Sequence, residues 1–119
     1  MKVFLVEDSP MLRDRLVKLI AAIPGAEPVG FAEGAKEALD KIAAAAPDVV
    51  VLDLSLSEGN GFDVLRGLQK TAGVECYVLT NHPIEGFRAV ATRLGAKGFF
   101  DKSSEVERLR DALAARAAA

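Results

Sequence analysis

The stretch that decides the fold is VVVL at residues 49–52, an unbroken apolar run that ends at Asp53. Four residues are too few for a helix and three of them are β-branched, so the run predicts a strand that is buried on both faces. VFLV at residues 3–6 and CYVL at residues 76–79 are similar runs, and FF at residues 99–100 is a shorter one. Strands of this kind are typical of parallel sheets that helices cover on both sides.

Helical spacing fills the segments between these runs. There, apolar residues recur every three or four positions, as they do on the buried face of a helix. The regular sets are Leu12, Leu16, Leu19, Ile20 and Ile23; Ala35, Ala38, Leu39 and Ile42; Ile84, Phe87, Val90, Ala91 and Leu94; and Val106, Leu109 and Leu113. A less regular set, over residues 62–70, is Phe62, Leu65 and Leu68.

A fifth strand candidate and the expected helix ends complete the pattern. PVGFA at residues 28–32 contains a proline and a glycine, which favour the edge of a sheet. Ser9, followed by a proline, suits a helix N-cap, and Gly95 suits the position after a helix end. Ser104 and Glu107 have the spacing of a capping box. Strand and helix thus alternate five times, which predicts a doubly wound α/β fold, a three-layer (βα)5 sandwich around a five-stranded parallel sheet.

Length and charge limit the classes of protein that this sequence can be. The 119 residues carry 15 Lys and Arg against 17 Asp and Glu, a net charge of −2, and 50% of them are hydrophobic. These values predict one folded domain over residues 1–119 and exclude intrinsic disorder. Both charge signs are spread along the chain, so direct nucleic-acid binding is not expected. The lone cysteine, Cys76, lies in an apolar run and is interpreted as a small buried thiol.

The sequence shows neither a targeting signal nor a membrane span. Only four apolar residues, 3–6, precede Glu7 and Asp8, and they are too few for the core of a signal peptide. No stretch approaches the roughly 20 apolar residues of a membrane-spanning helix. We therefore expect a soluble, cytoplasmic protein without membrane contact.

Polar and charged side chains follow four of the predicted strands. Glu7 and Asp8 follow the first, Asp53 the third, Thr80 the fourth, and Asp101 and Lys102 the fifth. The carboxyl ends of the strands border the ligand crevice in a doubly wound sheet, so we expect these side chains to meet there. Neighbouring carboxylates repel one another unless a divalent cation lies among them, and a few carboxylates plus water suit Mg²⁺. A carboxylate beside such a cation and a lysine is a nucleophile towards phosphorus.

Four motifs, taken in order, resemble the receiver domain of bacterial two-component response regulators, the family that includes the chemotaxis response regulator. They are VEDSP at residues 6–10, VVLDL at 50–54 with Gly61 eight residues after Asp53, VLT at 78–80, and LGA at 94–96 leading to FFDK at 99–102. The resemblance covers essentially the whole chain. It implies a flavodoxin-like fold with the strand order 2-1-3-4-5.

The resemblance also implies a metal site and a phosphoacceptor. Asp53 corresponds to the aspartate that receives the phosphoryl group. Asp8 would bind Mg²⁺ (or Mn²⁺) directly and Glu7 largely through water, while Asp53 and the backbone carbonyl of Ser55 would complete the protein ligands. The reaction implied is Mg²⁺-dependent transfer from a phosphohistidine, followed by hydrolysis of the aspartyl phosphate.

A switch is implied by the same resemblance. Thr80 and Lys102 would hold the phosphoryl oxygens, and Phe99 stands at the place of the aromatic residue whose rotamer follows Thr80. Phosphorylation would then remodel the surface of the fourth helix, fifth strand and fifth helix. The implied partners are a sensor histidine kinase or histidine phosphotransfer protein and a downstream protein target, with the chain a monomer or a phosphorylation-dependent dimer. Such a domain is not an enzyme as usually classed, although it promotes its own phosphorylation and dephosphorylation.

Four residues depart from the family pattern. Ser57 and Ser103 stand where the family commonly has prolines, which predicts a looser loop after Asp53 and leaves the loop before the last helix open. Asn81 stands where the family mostly has alanine or glycine, and with Ser55 and His82 it is expected to tune the lifetime of the phosphorylated state. A protonated His82 would contact the phosphoryl oxygens or the attacking water; the alternative is an exposed loop histidine.

Several residues also have purely structural interpretations. Asp8 and Thr80 are good helix caps, Asp53 a good turn residue and Lys102 an ordinary surface charge. Phe99 is a good core residue. Met11 and Leu12 belong either to a kinase-docking surface on the first helix or to the core.

Other functional classes share this fold. A flavodoxin-like cofactor binder is disfavoured because Glu7 and Asp8 would repel a phosphate where the cofactor's phosphate loop should be. A phosphatase with an aspartate nucleophile is disfavoured, because such an enzyme commonly carries a second acid two residues after the nucleophile to protonate the leaving group. Ser55 stands at that position here. A receiver-like module that docks without phosphorylation remains the alternative function. The chain is either a stand-alone regulator or the receiver part of a longer protein.

Overall fold

Five strands and five helices alternate along residues 1–81 and 84–119, the part of the chain that the structure, a computed structural model, describes. The strands are β1 (Lys2–Val6), β2 (Glu27–Ala32), β3 (Val49–Leu52), β4 (Glu75–Thr80) and β5 (Gly98–Asp101). The helices are α1 (Pro10–Ala21), α2 (Ala35–Ala45), α3 (Gly61–Leu68), α4 (Glu85–Arg93) and α5 (Val106–Ala118). The predicted alternation is confirmed. None of the described helices has the length and apolar character needed to cross a membrane.

The sheet is parallel, with the strand order β2-β1-β3-β4-β5. This confirms the order that the resemblance implies, and β2 lies at an edge as its proline and glycine predict. Val6 at the end of β1 pairs with Leu52 at the end of β3. The next residues, Glu7 and Asp53, are therefore neighbours at the carboxyl edge of the sheet.

Two hydrophobic clusters, one on each face of the sheet, form the core. Successive strand residues point to opposite faces, so the buried runs supply both clusters. Val3 and Leu5 face the cluster under α1 and α5, whereas Phe4 and Val6 face the cluster under α2, α3 and α4. All four residues of β3 are buried. The strands are thus buried on both sides, as the unbroken apolar runs predict.

Capping residues confirm two of the expected helix ends. The Ser9 hydroxyl accepts a hydrogen bond from the backbone N–H of Leu12, and a proline begins α1. Gly95 follows α4 at a φ of +100°, a left-handed conformation that favours glycine. The N–H groups of Gly95 and Ala96 reach back to carbonyls in the last turn of α4, which makes a Schellman motif.

The predicted apolar sets for α3 and α4 are wrong in two places. Val64 is completely buried but is missing from the predicted set. Val64 shares the buried face of α3 with Gly61, Leu65 and Leu68. Phe62 is only partly buried, and its ring contacts that of Phe87 at 5.6 Å between centroids. The predicted stripe of α4 includes Ile84, but this residue precedes the helix and is 55% exposed.

The capping box predicted for α5 is also wrong. The N-cap of α5 is Glu105, and its side chain does not cap the helix. The Ser104 hydroxyl instead donates to Oδ2 of Asp101 at 3.1 Å. In a capping box the serine oxygen accepts a hydrogen bond from a backbone N–H of the first turn. Because α5 begins one residue later than the spacing predicts, with Glu105 at the N-cap, Ser104 lies outside that position and its hydroxyl bonds to the Asp101 carboxylate.

Cys76 is buried in β4, in the cluster under α2, α3 and α4. Burial raises the pKa of its thiol to about 12. The interpretation of Cys76 as a small buried thiol is confirmed.

Candidate functional site

Three carboxylates meet at the carboxyl edge of the sheet. One oxygen from each of Glu7, Asp8 and Asp53 lies within 4.8 Å of the other two. Glu7 and Asp53 are only 2% and 3% exposed, and Asp8 is half-buried beside them. Adjacent parallel strands that end in register bring these residues together, as the strand-end pattern predicts.

Lys102 joins the acidic cluster from the other side of β4. Its Nζ lies 2.8 Å from Oε1 of Glu7 and 2.8 Å from Oδ2 of Asp53. Its backbone N–H donates to the carbonyl of Thr80 at 2.9 Å, which fixes the start of the β5–α5 loop against the end of β4. The lysine thus reaches across from β5 to contact two buried carboxylates at once.

Burial and pairing shift the protonation equilibria in this cluster. Burial raises the pKa of Glu7, and its hydrogen bonds to Lys102 and to the N–H of Ser9 only partly oppose that effect. Burial alone would lower the pKa of Lys102, but hydrogen bonds to Asp53 and Glu7 outweigh it, so the pKa of the ammonium group is raised. Lys102 therefore stays charged at neutral pH.

The loop after β3 orients the second oxygen of Asp53. Oδ1 accepts a hydrogen bond from the N–H of Ser55 at 3.0 Å. The chain then returns so closely that a Cβ on Gly61 would stand 2.5 Å from the Asp53 carbonyl oxygen. The glycine eight residues after Asp53 is thus required by the approach of two backbone segments, a reason that the sequence alone did not provide.

Side-chain and backbone contacts tie the same loop to the loop between β2 and α2. The Ser57 hydroxyl donates to the carbonyl of Glu33 at 3.2 Å, and the carbonyl of Glu58 accepts from the N–H of Ala35 at 2.9 Å. The serine that replaces the family proline therefore has a hydrogen-bonding role of its own.

The donor set of the acidic cluster fits a hard divalent cation. Carboxylate oxygens are the ligands that Mg²⁺ and Mn²⁺ prefer. Burying Glu7 beside Asp53 costs free energy, and Lys102 is the positive group that the structure shows between them. Because the three acids outnumber this one ammonium group, a cation beside the half-buried Asp8 would lower their mutual repulsion. The backbone carbonyl of Ser55 as a further ligand stays a prediction.

Thr80 ends β4 at the same edge. Its side chain is completely buried, and it pairs in the sheet with Asp101. Asn81, the next residue, is exposed. His82 lies outside the described residues, so its tuning role stays a prediction.

Phe99 lies in β5 on the same face as the core under α4. Its side chain is 6% exposed, which confirms the core interpretation and leaves the switch role a prediction. Arg88 of α4 contacts it twice, with the guanidinium carbon 4.8 Å from the ring centroid and Nη1 donating to the Phe99 carbonyl at 3.4 Å. A cation over an aromatic face is attracted to it, so Arg88 connects α4 to β5 at this ring.

Asp101 and Arg13 support the site in ways that sequence reasoning missed. Oδ1 of Asp101 accepts from the N–H and hydroxyl of Ser103 at 2.9 and 2.8 Å. Nη1 of Arg13 donates to the carbonyl of Glu7 at 3.1 Å and is within 3.3 Å of Glu33. An aspartate followed two residues later by a serine is a turn signal that could have indicated the first contact.

The two apolar residues early in α1, each predicted to lie in a docking surface or in the core, differ in exposure. Met11 is 78% exposed, which rules out the core for this side chain. Leu12 is half-buried and packs against the cluster under α1 and α5. The exposed surface of α1 thus includes Met11.

Known proteins of one family are similar to most of this chain. Residues 3–114 match the family described as the response regulator receiver domain. The DNA-binding transcriptional activator DevR/DosR of Mycobacterium tuberculosis is 38% identical over 102 residues, which are 85% of this chain and 47% of that protein. A protein-glutamate methylesterase/protein-glutamine glutaminase of Treponema denticola is 35% identical over 109 residues, 89% of this chain and 29% of that protein. The chain therefore spans less than half the length of these curated relatives.

Solved structures show the same similarity. The response regulator domain of CheB from Thermotoga maritima has a TM-score of 0.85 at 27% identity, covering 98% of this chain and 92% of that one. A two-component response regulator of the LuxR family from Aurantimonas sp. has a TM-score of 0.89 at 32% identity, covering 98% and 84%.

Proposed function

The chain belongs to the response regulator receiver domain family, and we propose that it accepts a phosphoryl group from a phosphohistidine on the carboxylate of Asp53. A receiver domain is the phosphoacceptor module of two-component signalling, and is in general not itself an enzyme. The observation that carries the assignment to Asp53 is its position: a buried carboxylate at the end of β3, bound by Lys102 and next to Glu7 and Asp8.

Two neighbouring groups contact the carboxylate oxygens of Asp53, the proposed nucleophile. The N–H of Ser55 holds Oδ1 of Asp53, which leaves Oδ2, at 2.8 Å from Lys102, as the oxygen that faces a positive group. In the transfer, a carboxylate oxygen of Asp53 forms a bond to phosphorus while the phosphorus–nitrogen bond of the donor breaks. The electron pair of that bond goes to the imidazole nitrogen, and neutral imidazole leaves because the other ring nitrogen of the donor phosphohistidine carries a proton.

Groups at the carboxyl edge of the sheet stabilise the charge on the phosphoryl oxygens. The Lys102 ammonium group pairs with a phosphoryl oxygen, and the Thr80 hydroxyl donates a hydrogen bond to another. Glu7, Asp8 and Asp53 would hold Mg²⁺, with the Ser55 carbonyl as a further ligand; when bound, this ion neutralises charge on the phosphoryl oxygens. Asn81 is proposed to narrow access to the aspartyl phosphate, and a protonated His82 is proposed to contact the phosphoryl oxygens or the attacking water.

The switch connects this chemistry to a surface. Movement of Thr80 towards the phosphoryl group changes the space beside Phe99, since alternate residues of paired strands share one face. A changed ring position alters the contact with Arg88 and hence the surface of α4, β5 and α5. We propose that a sensor histidine kinase or a histidine phosphotransfer protein supplies the phosphoryl group and that a downstream protein binds the altered surface. Domains beyond the receiver in the relatives, such as a methylesterase or a DNA-binding part, carry those proteins' own activities.

Removing the Lys102 ammonium group tests the site. We expect Lys102→Met to slow phosphorylation by acetyl phosphate in Mg²⁺ by about 100-fold, the order of effect of one preorganised charge-stabilising group. Lys97→Met is the matched control, because Lys97 is an exposed lysine just before β5. The initial rate is measured by intact mass. Equal rates for the Lys102→Met variant and the wild type would remove Lys102 from the site.

A further inference from the structure

The β5–α5 loop is held by the carboxylate of Asp101. Oδ1 accepts hydrogen bonds from the N–H and the hydroxyl of Ser103 at 2.9 and 2.8 Å, and Oδ2 accepts one from the hydroxyl of Ser104 at 3.1 Å. The Asp101 N–H donates to Oε1 of Glu105 at 3.0 Å, and the Asp101 carbonyl accepts from the Glu105 N–H at 2.8 Å. The loop is thus closed by side chains at both of its ends.

Lys102 lies inside this closed loop. The residue before it and the residue after it are joined through the Asp101 carboxylate, and its own N–H is bonded to the Thr80 carbonyl at 2.9 Å. Its side chain then extends to the two buried carboxylates at 2.8 Å. The direction in which the ammonium group leaves the backbone is therefore set by the loop.

A serine at position 103 leaves the loop without the restriction of a proline ring. A proline at this position would restrict the backbone by itself, because its ring fixes φ. Serine leaves φ free, so an unconstrained loop would let Lys102 sample several directions. Hydrogen bonds from Ser103 and Ser104 to one carboxylate replace the restriction that a ring would impose.

We propose that Asp101 is a positioning residue for Lys102: its carboxylate fixes the β5–α5 loop so that the Lys102 ammonium group contacts both Glu7 and Asp53. Asp101 takes no part in the acidic cluster itself, since its two oxygens are occupied by Ser103 and Ser104. The inference rests on the proposed function in one respect, that the position of Lys102 affects phosphoryl transfer. The placement of Lys102 is measurable without that reaction.

The direct test is the ammonium signal of Lys102 in ¹H–¹⁵N NMR spectra, assigned by its absence from Lys102→Met. An ammonium group held between two buried carboxylates exchanges its protons slowly with water. We expect a resolved signal in the wild type and in Asp101→Asn, whose amide oxygen still accepts from Ser103, and its loss in Asp101→Ala. Asp111→Ala is the control for charge, because Asp111 is an exposed carboxylate on α5 paired with Arg110. An unchanged signal in Asp101→Ala would overturn the proposal.

Mg²⁺ affinity is a second measurement. Asp101→Ala should bind Mg²⁺ more tightly if Asp101 positions Lys102, and more weakly if Asp101 only stabilises the site in general. If Asp101→Ala releases Lys102 from the carboxylates, less positive charge opposes the cation, and we expect Mg²⁺ to bind about fivefold more tightly than to Asp101→Asn. In the Lys102→Met background the same substitution should have no effect. If Asp101→Ala loosens the whole site, Mg²⁺ binding should become weaker, which would contradict the proposal. An equal effect of Asp101→Ala in the wild type and in Lys102→Met would show that Asp101 does not act through Lys102, and would also contradict it.

Two further measurements distinguish a failure of the role proposed for Asp101 from a failure of the proposed function. Ser103→Ala removes only the hydrogen bond from the Ser103 hydroxyl, so it should weaken the Lys102 signal without abolishing it, and this variant replaces Asp101→Ala as the test if Asp101→Ala does not fold. Phosphorylation by acetyl phosphate should be slower in Asp101→Ala than in Asp101→Asn by about tenfold. A wild type that takes up no phosphoryl group contradicts the proposed function, whereas the Lys102 signal still decides the role of Asp101.

Discussion

Lys102 shows at the residue scale how one side chain depends on two distant parts of the chain. Its ammonium group lies 2.8 Å from carboxylates that follow β1 and β3, although the lysine itself follows β5. Pairing raises its pKa against the opposing effect of burial. A lysine that stays charged at this position both stabilises the apo cluster and is ready to pair with an incoming anionic group.

Gly61 is the residue whose replacement should most clearly damage the loop after Asp53. A Cβ there would stand 2.5 Å from the carbonyl oxygen of Asp53 and 2.7 Å from Cα of Leu54, and backbone cannot move aside as a flexible side chain can. We expect Gly61→Ala to lower the free energy of unfolding by about 3 kcal/mol, the upper range for overpacking. Urea denaturation followed by circular dichroism measures it.

Gly86 provides the matched control for that substitution. It lies in α4, and a Cβ there would meet no heavy atom within 4 Å. Gly86→Ala should leave stability unchanged or raise it by up to about 1 kcal/mol, because alanine loses less entropy in a helix than glycine. Equal effects of the two substitutions would show that the close approach at Gly61 does not exist.

At the scale of elements, the β5–α5 connection gives a prediction of pH dependence. Hydrogen bonds from Ser103 hold the pKa of Asp101 below its ordinary value of 3.8, and the bond from the Ser103 N–H has a larger effect than the bond from its hydroxyl. A carboxylate whose pKa is lower in the folded state contributes stability above the unfolded pKa and loses it as the pH falls through the folded pKa. The melting temperature of the wild type should therefore exceed that of Asp101→Ala at pH 6, and the difference should shrink below pH about 4. A difference that is constant, or that grows in acid, contradicts this.

The elements themselves were largely predictable from the sequence, for physical reasons that also explain the exceptions. β1 and β3 lie in the middle of the sheet, so their burial on both faces leaves unbroken apolar runs. α3 is only eight residues long, and a short helix defines its inner face poorly, which is why Val64 was missed. The N-cap of α5 is Glu105, one residue after Ser104, and the Ser–Glu spacing alone does not fix the residue at which a helix begins.

For the whole molecule, the carboxyl edge of the sheet was predictable and the contacts around it were not. Strand ends in a parallel sheet collect at one edge, so the sequence alone is enough to group Glu7, Asp53 and Lys102. The ion pairs of Lys102, the two contacts of Arg88 with Phe99 and the close approach at Gly61 arise from packing between segments far apart in the chain. Local sequence patterns indicate which residues share the edge, but not which of their atoms pair or how closely distant segments approach.

The proposed conformational switch also concerns the whole molecule. Phosphorylation at the carboxyl edge can alter the α4, β5 and α5 surface only if it favours one of two packings of the same core. Thr80 and Phe99 are the residues proposed to link the two regions, and both are buried on or beside β4. Switching of this kind therefore depends first on whether Asp53 accepts a phosphoryl group at all.

Intact mass spectrometry after incubation with acetyl phosphate and Mg²⁺ tests this central claim most directly. The chain should gain the mass of one phosphoryl group, and it should gain none in EDTA or when Asp53→Asn is used. Phosphorylation that persists in Asp53→Asn would contradict the assignment of the phosphoacceptor. A folded wild type that binds Mg²⁺ but never changes mass, even with a larger phosphodonor, would contradict phosphoryl transfer itself and favour a receiver-like module that works by docking.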